Sequence, residues 1–266
     1  MPVAEPEKTF PVCLTAKPDA KRLISGLRTD GRKSADSRKK FVKVGVNKRS
    51  QGSAYVEMGH TKVLVSVFGP SQISRSEEAS CSHGSVAVNV RMAAFSGRER
   101  FERSGKQRDL PTEFELDLAQ TLTHACQPAI CLDKYPMALI DIHVTVLEHD
   151  GSLLATCLTC TSAALADAGV EMYDFIIGGC LAVTKDNTFL DPDKTEEDSL
   201  ESVASLLTIG FMPVLGQVVC FDQRGAHTSL DKCLLAKQQL ITWILSVWPS
   251  LRKSLLERFE NQTSDS

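Results

Sequence analysis

The sequence predicts an α+β fold: mixed, largely antiparallel sheets with helices packed on or between them. Three observations carry this. Short alternating or β-branched segments come in a run before the first helical stretch. The second half repeats a strand–turn–helix rhythm and then adds further strands. The chain closes on a long amphipathic segment. Strands grouped in runs, without strict alternation with helices, mark α+β architecture over a doubly wound parallel sheet.

The elements follow in order. Residues 1–40 read as a lead-in with prolines, a short helix at 19–27 and the polar turn 28–32 (RTDGR). Strands are expected at 41–48 (FVKVGVNK), Gly52–Met58 (GSAYVEM) and 61–68 (TKVLVSVF). Gly59 lies in the short join between the last two, which predicts a hairpin. Residues 69–84 are polar and read as an exposed loop, before another alternating strand, Ser85–Met92. The stretch 95–108 has no hydrophobic period and reads as a loop.

A helix opens at Pro111-Thr112. Thr112 is a capping residue, and Glu113 and Glu115 suit the positive end of the macrodipole. Phe114, Leu118, Leu122, Ala125 and Ala129 fall at helical spacing, and Pro128 should end or bend the helix. A strand at 139–147 leads into the turn Asp150-Gly151-Ser152 and a small-residue helix over 153–168. Strands follow at 175–183, Thr188–Leu190, 206–211 and 217–221, with an acidic exposed connection at 193–201. A helix over 230–248 takes its apolar side from Leu234, Leu235, Leu240, Ile241, Ile244 and Leu245. The tail NQTSDS is polar and expected to fray.

The 266 residues suffice for one large domain or two small ones, and 42% hydrophobic with 24% charged is ordinary for a folded chain. No apolar run reaches the roughly 18 residues of a membrane span. The N-terminal MPVAEPEKTFPVCL lacks the basic start and apolar stretch of a signal peptide. A reducing compartment inside the cell is therefore expected, and nine scattered cysteines fit it. Cys157 and Cys160 have CxxC spacing, but no second pair completes a zinc site, and both read as small helix residues that pack closely. His60, His124 and His143 are isolated, so neither a metal site nor a cofactor is expected.

Net charge is −3, which excludes a globally basic nucleic-acid binder. The charge is uneven, however. Arg91, Arg98, Arg100, Arg103, Lys106 and Arg108 face only Glu99 and Glu102 within 91–108, while six acids and one lysine occupy 191–201. An exposed charge run of this kind is more often a solvated loop, but arginines interleaved with Phe95 and Phe101 can also contact phosphates and stack on unpaired bases, which keeps RNA contact open as the alternative reading.

A glycine turn opening a helix, as at 150–154, is a common anion cradle because free N–H groups point outward there. Here Leu153 and Leu154 follow the turn, and neither grips an anion.

Several segments together resemble the RNase PH family. They are 27–70 (LRTDGRKSADSRKKFVKVGVNKRSQGSAYVEMGHTKVLVSVFGP), 164–174 (ALADAGVEMYD) and 189–218 (FLDP…MPVLGQV). The resemblance covers roughly 28–248 and implies the RNase PH fold, which is ribosomal S5 domain 2-like. It divides the chain into a lead-in (1–27), one domain (28–250) and a tail (251–266). Within the family, AGVEMYD and MPVLGQV look closest to the non-catalytic, Mtr-type ring subunits of the eukaryotic RNA exosome.

Active members of the family cleave RNA from its 3′ end with inorganic phosphate as nucleophile. They hold phosphate with a Thr-Arg pair after two glycines. The matching positions here are Gly151, Ser152, Leu153 and Leu154, a degenerate phosphate loop. Arginines expected on the first long helix are missing, since no Arg or Lys lies between Pro111 and Cys131, and Arg108 is displaced from the arginine-bearing segment before it. The catalytic aspartate aligns with Ala204; Asp198 and Glu201 are nearby carboxylates without the expected apolar strand context.

The resemblance thus implies a non-enzymatic ring subunit. Its partners would be other RNase PH-like subunits, S1/KH-domain caps, single-stranded RNA and a separate nuclease, with no membrane. Its expected location is nucleus, nucleolus and cytoplasm. The alternatives are an active phosphate-dependent exoribonuclease and a ring-independent RNA-binding scaffold.

Overall fold

The computed structural model describes residues 28, 30–72, 83–97, 111–184, 187–200, 205–225 and 229–264, with side chains in the last helix described to 256. The helix expected at 19–27 lies outside them.

Among the described residues, nine strands form two sheets. The first takes β1 (Lys40–Val44), β2 (Gly52–Met58), β3 (Thr61–Gln72), β4 (Ser85–Met92) and β5 (Ala138–Glu148), in the order β1-β2-β3-β5-β4. All its neighbours are antiparallel except β4 and β5, which run parallel with Ser85 beside Leu139 and Met92 beside Val146. The second takes β6 (Ile177–Val183), β7 (Thr188–Leu190), β8 (Ser205–Met212) and β9 (Gln217–Gly225), antiparallel in the order β7-β6-β8-β9. Four α-helices complete the described chain: α1 (Glu113–Cys126), α2 (Leu153–Asp167), α3 (Lys194–Leu200) and α4 (Leu230–Ser264).

The layers follow from where apolar side chains point. Alternate residues of β2, β3 and β5 (Val56, Val65, Val144 among them) are buried on one face. That face receives α2, which also packs against β6 and β8 of the second sheet. Being covered by both sheets, α2 is buried almost all round, from Leu153 to Leu165. Strand β6 (IGGCLAV) is buried on both faces. Its two glycines point opposite ways: a Cβ on Gly178 would lie 2.2 Å from the Ala155 carbonyl of α2, and one on Gly179 would press on Leu240 and Trp243 of α4. Side-chain alternation along a strand therefore makes GG the residue pair that lets helices close in from both sides.

Several sequence expectations are corrected. Strand β3 runs on to Gln72, past the point where an exposed loop was expected, because Ser71 and Gln72 resume pairing with Leu139 and Ala138 after a register shift. The expected acidic connection contains helix α3, and Asp191 and Glu196 are buried. The segment is capped by its own carboxylates: Glu196 N–H donates to Asp193 Oδ1 (2.7 Å) and Asp193 N–H to Glu196 Oε2 (3.1 Å). In α1, Phe114 is 39% exposed and Glu115 takes the inward place. In α4, Leu234, Leu235 and Leu245 face outward, while Ala236, Leu240 and Ile244 face the core. Helix α4 also continues through Pro249 to Ser264, so the expected frayed tail is largely helical. Leu251 and Leu255 are buried, and that burial supports the extension past the proline.

Candidate functional site

The turn at 150–154, which the family resemblance reads as a degenerate phosphate loop, sits where β5 ends and α2 begins. Its shape is fixed by what touches its backbone. Gly151 has φ +86°, and a Cβ there would lie 2.6 Å from the Pro192 carbonyl oxygen, so only glycine fits under the passing chain. Ser152 follows in the left-handed region (φ 51°). The Thr61 hydroxyl donates to the Gly151 carbonyl (2.7 Å) and accepts from Asp150 N–H (3.1 Å). Arg38 donates to the Asp150 carbonyl and, at 3.3 Å, to that of Gly151.

Leu153 and Leu154 are buried, as packing residues at the start of α2. They form one wall of a cavity of about 260 Å³, with Phe114, Leu118, Ala182 and Leu206 as further apolar lining and His149, Lys194, Glu197, Asp198, Asp222 and Arg224 as polar lining. The described cations lining it carry carboxylate partners. Lys194 lies 3.0 Å from Asp198 and 3.7 Å from Glu197, and Arg224 lies 2.8 Å from Asp222. The Ser152 hydroxyl donates to the Pro192 carbonyl (3.1 Å), and its N–H donates to Glu197 Oε1 (2.7 Å).

Burial sets the ionisation of these groups. It pushes the His149 pKa down to about 4, helped by the positive charge of Lys194, so the imidazole is neutral at neutral pH. Burial raises the Glu197 pKa against the opposing effects of Ser152 N–H, Lys194 and Arg38. Behind the loop, Arg38 and Asp191 form a buried pair at 2.6 Å. Burial alone would raise the Asp191 pKa, but the hydrogen bond and charge of Arg38 outweigh it and the pKa is lowered. Among the described residues, the site presents an apolar wall, cations paired with carboxylates and a serine hydroxyl committed to a carbonyl.

Gly151 and Ser152 form the turn, and Leu153 and Leu154 open α2. Of the candidate RNA contacts, Arg91 is exposed on β4, while Arg98, Arg100, Arg103, Lys106 and Arg108 lie outside the described residues, as do Glu201 and Ala204. The start of the basic run nevertheless lies beside the loop's approach. Ala93 N–H donates to the Val146 carbonyl (2.9 Å), and His149 N–H to that of Ser96 (2.8 Å). Asp198 is at the cavity, paired with Lys194.

Sequence reasoning missed His149, Lys194 and Glu197. The D-x-x-E cap at Asp193–Glu196 and the Lys194–Asp198 spacing were the available helix signals. Cys157 and Cys160 are buried in α2, burial pushing the former thiol up to about 12, as close-packed residues and not a redox pair. Among the described residues no group of His, Cys, Asp and Glu is arranged to hold a metal ion, and no helix is long and apolar enough to cross a membrane.

Comparisons with known proteins agree on one lineage. The RNase PH profile (3′ exoribonuclease family, domain 1) matches residues 36–171. The human exosome complex component MTR3 is 37% identical over 230 residues, covering 81% of each chain. The exosome complex component Rrp41 of Pyrobaculum islandicum is 30% identical over 249 residues, 94% of this chain and 98% of its own. Among solved structures, rice Rrp46 superposes with a TM-score of 0.72 at 23% identity, over 86% of this chain and all of that one. An archaeal exosome core chain gives 0.69 at 20%, over 87% and 94%. At these identities the superpositions show a shared fold.

Proposed function

The chain belongs to the RNase PH family, and on that premise we propose that it is a non-catalytic ring subunit of an RNA exosome core. It would support 3′-to-5′ RNA processing and degradation by completing the ring and its channel. The observation that carries this reading is the loop at 150–154: a glycine turn still opens the helix, while the positions of the family's Thr-Arg pair hold two buried leucines. Phosphorolysis must hold two anions together, the attacking phosphate and the RNA backbone, and needs preorganised positive charge to do so. The likeness to exosome components named MTR3 and Rrp41 supports membership of the ring.

The expected neighbours are other RNase PH-like subunits, with S1/KH-domain caps above the ring and a separate nuclease that receives the RNA. The basic run from Arg91 to Arg108 would contact single-stranded RNA through its phosphates, without reading sequence. A distribution over nucleus, nucleolus and cytoplasm belongs to the same proposal, and imaging of the tagged chain tests it.

The direct experiment is reconstitution. The full chain, alone and with its RNase PH-like partners, is given single-stranded RNA and inorganic phosphate. Co-elution in a ring, with no nucleoside diphosphate released by this chain, is the expected result. Release abolished by Asp198→Ala would establish the phosphorolytic alternative. A free 29.1 kDa species in native extract would favour the ring-independent scaffold. The single variant Leu154→Arg should not create turnover, because one cation does not restore the helix arginines or the aspartate.

A further inference from the structure

We infer that Glu197 is a resident anion of the degenerate loop: its carboxylate takes the Ser152 N–H that an incoming phosphate would take, so the loop repels anions as well as lacking a grip for them. The inference deepens the non-catalytic reading and rests on it. Absence of arginine would leave an empty, weak anion cradle. The geometry points to an occupied one.

Two hydrogen bonds and a close backbone approach fasten the Glu197-bearing segment to the loop. Ser152 N–H donates to Glu197 Oε1 at 2.7 Å. The Ser152 hydroxyl donates to the Pro192 carbonyl at 3.1 Å. Gly151 leaves open the space through which the backbone of 192–194 passes; a Cβ there would lie 2.8 Å from Lys194 N. The carboxylate therefore rests against the first turn of α2, where the positive end of the helix dipole favours negative charge. It occupies that place by intramolecular docking, so it competes with a dissolved anion at a high effective concentration.

The surrounding charges leave that anion in control. Lys194 shares itself between Asp198 and Glu197, Arg224 is held by Asp222, and Arg38 is held by Asp191. His149 and Cys180, which also line the cavity, are neutral at neutral pH, because burial pushes the imidazole pKa down to about 4 and the thiol pKa up to about 12. An incoming phosphate would have to displace Glu197 from the N–H and remain beside its charge in a partly desolvated cavity. The sequence alone concealed this, because a run of acids reads as a solvated connection.

The test follows the loop's own backbone. Full chain labelled with nitrogen-15 is titrated with inorganic phosphate at constant pH and ionic strength, and the amide resonances of Ser152 and Leu153 are followed. In the wild type they should stay in place. In Glu197→Ala they should move saturably, with apparent affinity raised at least about tenfold once the like charge is gone. Glu197→Gln, neutral and of the same size, should show a smaller gain and decides the matter if the alanine variant loses its dispersed spectrum. Saturable wild-type shifts would overturn the inference, as would folded variants that stay inert. The two readings fail separately. Wild-type release of nucleoside diphosphate from RNA refutes the non-catalytic role, whereas wild-type shifts without such release refute only the resident anion.

Discussion

At the scale of single residues, the acids near position 196 have work that their crowding in the sequence disguised. Arg28 grips Glu196 through two bonds (Nε to Oε1, 2.9 Å; Nη2 to Oε2, 2.7 Å), and both side chains are essentially out of solvent. The same guanidinium donates to the carbonyls of Leu190 and Asp191, so it ties the segment before β1 to the second sheet. Arg28→Ala would take from buried Glu196 its two-bond partner, leaving it the Asp193 N–H and Arg32 at 4.0 Å, and the expected cost is about 3 kcal/mol in urea unfolding of the full chain. His149 makes a second prediction. Its folded pKa of about 4 lies below the ordinary 6.5, so between these values the unfolded chain binds the extra proton. Its contribution is whole above pH 6.5 and is lost as pH falls toward 4. Glu197 acts with the opposite sign, because its raised pKa lets the folded chain protonate first. In His149→Asn the urea midpoint should therefore fall less between pH 6.5 and about 4.5 than in the wild type. An equal fall would show that His149 is solvated.

Among the elements, helix α1 was the most legible, and its start shows why. Thr112 and Glu115 form a reciprocal cap, with Glu115 N–H on Thr112 Oγ1 (3.3 Å) and Thr112 N–H on Glu115 Oε2 (2.7 Å). Local rules of this kind can be read from a few neighbouring residues. What they omit is that Glu115 also accepts the Met92 N–H from β4 (2.6 Å), a contact 23 residues distant that carries the carboxylate into the core and turns Phe114 outward. Thr112→Ala should cost about 1 kcal/mol. Glu115→Ala should cost more, since it strands a buried donor of a neighbouring strand, and paired thermal melts would reveal the order. The same distinction separates the other elements. Strand β4 was placed to the residue by alternation, whereas α3 was missed because its burial depends on Arg28, far away in sequence. In α4, periodicity found the helix and its core residues Leu240 and Ile244, but it also counted Leu234, Leu235 and Leu245, which face outward; the close face is the one that Gly179 leaves room for.

For the whole molecule, the fold class was visible in the sequence from element order, and the turn before α2 from Asp150-Gly151-Ser152. The cavity was not, since Phe114, His149, Lys194 and Arg224 come from four separate stretches. The basic run offers a test at this scale. Replacing Arg98, Arg100, Arg103 and Lys106 by alanine should leave assembly intact, reduce protection of a long single-stranded RNA and flatten the salt dependence of binding. Unchanged affinity and salt slope would remove RNA contact from its role. Finally, α2 is a wall common to both sheets, with Gly52 of β2 meeting it from one side and Gly178 of β6 from the other. Neither sheet keeps its apolar face covered if that wall leaves. The two halves should therefore melt as one cooperative unit, and the amide protons of α2 should exchange with deuterium only through global opening. Exchange free energies in α2 that match urea unfolding, and that fall together when either glycine is changed to alanine, would be the signature of a chain divided in its sheets but single in its stability.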